Sequence, residues 1–152
     1  MPLAAVTACV LGLFAWGVAW ATPSQGLTTT ILAGPVILDA IKVHSTSDQH
    51  SVKMKTKGTS DVYVVQNRIV PGGHTGWHSH PGPSVVSVVS GQATEYHADH
   101  PNAGTVHAAG TAFVDDGDGA HLLKNEGTVD LVLIAFQVLP QGATRRIDED
   151  AP

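Results

Sequence analysis

The chain of 152 residues contains one cysteine, Cys9, so no internal disulfide can form and no pair of thiolates can hold a metal. Charge is also scarce, at 14% of residues, with 8 Lys and Arg against 13 Asp and Glu and a net charge of -5. So few cations cannot track a phosphate backbone, which argues against a nucleic-acid partner. Beyond the amino terminus, no useful window shows an apolar period of 3.6 uninterrupted by Gly or Pro, so helices are not expected. Internal repeats and low-complexity segments are absent as well.

Apolar residues, at 43%, suffice for one core, and 16 Gly with 9 Pro make the chain rich in turns. Leu3 to Ala21 is an uncharged, mostly apolar run ending in Ala19-Trp20-Ala21, a small-x-small cleavage signal. Residues 1–21 therefore read as a signal peptide, although no Lys or Arg precedes the run. Its removal also removes Cys9, leaving no thiol nucleophile. Left uncleaved, the run is close to the length of one membrane anchor, the only route by which this sequence predicts a membrane partner. Either reading places the domain outside the cytoplasm, secreted or periplasmic.

Residues 22–34 are polar and read as a flexible segment, and 145–152 as a charged, frayed tail. The domain between them, 35–144, is a series of short β-rich runs: Val36 to Val43, Val52 to Thr56, Val62 to Val70, Val85 to Ser90, Ala93 to His97, Thr111 to Val114, His121 to Lys124 and Leu131 to Leu139. Turn signals separate them, among them Pro71-Gly72-Gly73, Ser90-Gly91, Asn102-Ala103-Gly104 and Asp115 to Gly119. The expectation is an all-β sandwich or barrel. Runs 62–70 and 131–139 are apolar on both parities, which suggests one face filling the interior and the other meeting a second sheet or a second subunit, as in a homodimer.

The most informative stretch is Gly72-Gly73-His74-Thr75-Gly76-Trp77-His78-Ser79-His80-Pro81. On an extended strand His78 and His80 share a face and can share one ion, and neutral imidazoles suit Fe, Mn, Zn, Cu or Ni. Taken alone, the pair proves little, since two histidines in a loop between glycines can simply be solvated. The same periodicity turns Trp77 away from that face, toward packing or an interface.

The spacing Gly72-x5-His78-x-His80-x3-Ser84-x6-Gly91 resembles the first motif of the cupins, G-x5-H-x-H-x3-4-E-x6-G. Gly110, Asp118, His121 and Asn125 resemble the second, G-x5-P-x-G-x2-H-x3-N, with Asp116 in place of the proline and Asp118 in place of the glycine. The resemblance implies a cupin jelly-roll β-barrel with His78, His80 and His121 as ligands of a divalent transition metal. Ser84 stands where the family has its glutamate ligand.

Three neutral histidines alone would leave such an ion its full charge and open positions, which suits a small, anionic, chelating substrate, as in three-histidine cupin dioxygenases. A metal- or ligand-binding module without turnover is the alternative. Ser84, His74, Glu95, Tyr96 and Asp118 are candidates to line the pocket, with His97, His107 and Asp116 behind them. As isolated residues, His74 reads as an exposed loop histidine, and His97, His100 and His107 as surface histidines. The aspartates at 115, 116 and 118 lack calcium-loop spacing and read as a solvated acidic turn.

Overall fold

A computed structural model describes residues 21–152; the expected signal peptide lies, apart from Ala21, outside the described residues. Twelve strands and no helix are present among them. They are β1 (Gln25–Leu38), β2 (Lys42–Ser47), β3 (His50–Lys55), β4 (Ser60–His74), β5 (His78–Ser79), β6 (Ser84–Ser90), β7 (Gln92–His97), β8 (His100–Ala108), β9 (Ala112–Asp115), β10 (His121–Lys124), β11 (Leu131–Pro140) and β12 (Ile147–Asp148). All pairings are antiparallel.

Two five-stranded layers, β1-β4-β11-β6-β9 and β8-β7-β10-β5-β12, join where His74 pairs with Lys124, giving a nearly closed jelly-roll barrel. The β2-β3 hairpin stands apart and is exposed throughout. All eight expected runs contain strand, but Val36 to Val43 is divided between β1 and β2 by residues 39–41.

Strand periodicity builds the interior. Leu131, Leu133, Ala135, Gln137 and Leu139 of β11 point inward, as do Ser84, Val86 and Val88 of β6. Their apolar members, Leu139 apart, pack with Ile69, Ala93 and Leu123 into the core. Burying each large aliphatic side chain contributes roughly 1.5–3 kcal/mol. The outward parity stays apolar too: register sets Val114, Val85 and Phe136 side by side across β9, β6 and β11, all exposed.

Four sequence expectations are corrected. The Pro71-Gly72-Gly73 turn signal lies inside β4. Residues 25–34, expected to be flexible, form most of the long strand β1, because β4 offers them an uncovered edge for nearly its whole length. The Asn102-Ala103-Gly104 turn signal lies inside β8, where Gly104 fits because an added Cβ would come within 2.6 Å of the Thr94 side chain and 2.9 Å of the Tyr96 ring. Residues 145–152, expected to be frayed, strap across the barrel mouth through β12, which pairs with β5, and through a hydrogen bond from Glu149 N to Trp77 O.

Candidate metal centre

The site lies where the apolar interior gives way to polar side chains in a single step of the strands. On β11, β6 and β9 the register aligns Ala135, Val86 and Phe113 in one inward row and Gln137, Ser84 and Asp115 in the next. Gln137 Nε2 donates to Ser84 Oγ at 3.0 Å, so this polar row satisfies itself while buried. The opposite wall comes from β5 and β10, where His78 and His121 are cross-strand partners, and from His80 just beyond β5.

His78, His80 and His121 are buried, and their candidate donor atoms all lie within 4.8 Å of one another, close enough to share one ion. Ring centroids are 4.3 Å apart for His78 and His121 and 4.9 Å for His78 and His80. Two of the rings are oriented from behind. His78 Nδ1 donates to Gly76 O at 2.9 Å, and His80 Nδ1 donates to Arg145 O at 2.8 Å. With their protons held on Nδ1, both histidines turn the Nε2 lone pair away from those carbonyls, the outer-shell arrangement typical of metal-binding imidazoles.

Burial keeps the rings of His78 and His80 neutral. It is the main cause that lowers the His78 pKa to about 2, assisted by His121 and Arg146. Burial also lowers the His80 pKa, against the opposing pull of its hydrogen bond to Arg145 and of Asp115.

A carboxylate stands beside the cluster. Asp115, buried on β9, places Oδ2 3.6 Å from Nε2 of both His80 and His121, while its Oδ1 accepts from Gly117 N at 2.9 Å. This overturns the reading of Asp115 as part of a solvated turn: β9 pairs with β6 and turns this one aspartate inward, leaving Asp116 and Asp118 outside. Electron pairs from a carboxylate and from neutral imidazoles thus face one space, which favours a cation there.

Of the pocket candidates, Ser84 lines the cavity. The other four do not. His74 ends β4 half-buried, neither a loop residue nor exposed, with Nδ1 accepting from Gly76 N at 3.1 Å. Glu95 is buried on β7 and bound to His107 at 2.9 Å, with His97 3.6 Å away. Tyr96, on the other parity, donates to Glu126 at 3.1 Å. Asp118 is exposed near His97 and Ala120.

His107 is another correction, since the surface reading fails: it is half-buried and stacked on Phe113, with ring centroids 3.9 Å apart. His97 and His100 are exposed, as read. Trp77 is buried and absent from the cavity lining. Asn125 is fully buried and structural, donating through Nδ2 to Ile69 O and Val129 O and accepting from Gly127 N.

Sequence reasoning missed Asp115, Gln137, Arg145 and Arg146, which all line the cavity. Arg145 Nη1 reaches Gln137 Oε1 at 3.3 Å, and Arg146 Nη2 donates to Thr75 O at 2.9 Å. The alternating pattern of β11 could have flagged Gln137, the one polar residue on its inward parity. No local signal marks the arginines, because only the path of the strap brings them back. The cavity measures about 50 Å³, room for a few waters or a ligand of similar size.

No family model matches the chain, and the curated proteins give no match. Solved structures do. An uncharacterized conserved protein with a double-stranded β-helix domain from Klebsiella pneumoniae is 19% identical at a TM-score of 0.51, covering 74% of this chain and 80% of that one. The cupin domain of an XRE-family transcriptional regulator from Enterobacter cloacae is 13% identical at 0.51, covering 77% and 100%. A cupin-superfamily protein from Desulfitobacterium hafniense is 11% identical at 0.50, covering 79% and 83%. The chain has the cupin fold, and its buried three-histidine cluster fits a cupin metal site.

Proposed function

We propose that this protein is an extracytoplasmic cupin metalloenzyme, of dioxygenase type, that binds a divalent transition metal and acts on a small anionic chelating substrate. The observation that carries the metal reading is the convergence of His78, His80 and His121 with two of the three rings fixed by backbone carbonyls. A bound metal would supply Lewis acidity toward substrate oxygens. Homodimer formation through the apolar row of Val114, Val85 and Phe136 belongs to the same proposal.

Elemental analysis of the full chain, purified without a metal-chelating tag, is expected to give about one Fe, Mn, Zn, Cu or Ni per chain. His121→Ala should abolish it. A metal-free protein from metal-replete medium would remove the metalloenzyme reading and leave a ligand-binding barrel.

The chain's own residues support an anionic substrate. Arg145 is half-buried at the cavity, where desolvation lowers its pKa without removing its charge. A guanidinium beside a metal can hold a carboxylate that also chelates the ion. In calorimetric titration, the zinc-loaded chain should bind malonate and ignore its diamide, malonamide. Arg145→Gln should weaken malonate roughly 10-fold or more, as expected for a lost charged hydrogen bond, while retaining zinc. Equal binding of malonate by the variant would exclude Arg145 as the anion contact.

A further inference from the structure

Building on the metal reading, we infer that Asp115 is the carboxylate ligand of this site, supplied from β9 in place of the glutamate that the motif position Ser84 lacks. Ser84 and Asp115 are cross-strand partners, so both side chains enter the same inward row of the barrel. A carboxylate delivered from β9 therefore arrives next to where one from β6 would stand, and Ser84 is small enough to leave it room.

The side chain is held for the role. Gly117 N fixes Oδ1, and Oδ2 is turned toward Nε2 of His80 and His121 at equal distances of 3.6 Å. Gly117 has φ 83°, and a Cβ there would come within 2.6 Å of Gly82 O and 2.9 Å of His80 O. The turn that orients Asp115 is thereby packed against the backbone of the histidine segment. Asp116 makes the equivalent bond, its Oδ1 accepting from Asp118 N at 2.9 Å, but Asp116 and Asp118 both stay in solvent.

The consequence is chemical. One anionic oxygen donor beside three neutral nitrogens reduces the net charge of a divalent centre from +2 to +1, leaving fewer positions for a chelating substrate than the histidines alone would.

The test is a competition titration of zinc and of cobalt on the full chain, with the visible spectrum of the cobalt form as a second readout. Asp115→Asn keeps the shape and the hydrogen bond from Gly117, and should weaken metal about 10- to 100-fold and shift the cobalt spectrum. Asp115→Ala should weaken metal at least as much. Restoring the motif glutamate in that background, Ser84→Glu with Asp115→Ala, should recover most of the affinity.

Wild-type affinity and an unchanged cobalt spectrum in Asp115→Asn would overturn the assignment while leaving the histidine site intact. Failure of the wild-type chain to bind either metal would instead overturn the reading on which the assignment rests. If Asp115→Ala does not fold, Asp115→Asn decides alone.

Discussion

Removing residues 145–152 is expected to weaken metal binding about 10- to 100-fold, although none of the histidines or Asp115 is deleted. The strap holds the site from outside. Arg145 O is the acceptor that fixes the His80 ring, at 2.8 Å across 65 residues of sequence. Ile147 and Asp148 pair with Ser79 and His78, so the short strand carrying the first ligand has β12 on one side and β10 on the other. Ser79 Oγ donates to Glu149 at 2.6 Å, and Arg146 donates to Thr75 O.

Without these bonds His80 has no carbonyl behind Nδ1, and the segment from His78 to His80 becomes an unsupported edge. The core cluster lies on other strands and involves none of the deleted residues. Circular dichroism should therefore show a retained β signature with a lower melting temperature, and competition titration should show the affinity loss. Full affinity in the truncated chain would mean that the histidine segment holds its geometry unaided.

The second large effect is on stability, through protons and metal acting on the same imidazoles. In the folded chain the His78 pKa is lowered from 6.5 to about 2, mainly by burial, and that of His80 is lowered as well. An unfolded chain takes up protons at both residues near pH 6.5, whereas the folded chain resists. The stability contributed by keeping them neutral is complete above pH 6.5 and is lost progressively below it.

The loss approaches about 1.4 kcal/mol per pH unit for each ring that stays neutral. Metal requires the same neutral nitrogens and binds the folded form, adding about 4 kcal/mol at a free concentration 1,000 times Kd. In a domain of this size that corresponds to roughly 10–20 °C in Tm. Differential scanning calorimetry at neutral pH should show this rise on saturation with zinc. The chelator-treated protein should unfold at progressively lower temperature as the pH falls below 6.5. A flat profile from pH 7 to 5 would contradict the burial of neutral His78 and His80.

The histidines were legible because their geometry is local. Two residues apart on a strand, His78 and His80 must share a face, and the spacing to Ser84 and Gly91 repeats a recognisable pattern. The inward rows of β6 and β11 follow from the same period of two. Asp115 was illegible for the opposite reason. As one of several acidic residues in a glycine-bearing turn it looks solvated, and only the pairing of β9 with β6 selects it and turns it inward.

Glu95 and His107 were misread in the same way, since only the pairing of β7 with β8, hidden behind a turn-like Asn-Ala-Gly, brings them together. What the sequence by itself determined is the all-β class, the single core and the three-histidine cluster, because each depends on composition or on spacing within one strand or motif. The carboxylate opposite Ser84, the arginines at the cavity and the strap that fixes His80 were decided only by tertiary structure. They depend on which distant strands become neighbours, and pairing register carries no signature within any single strand.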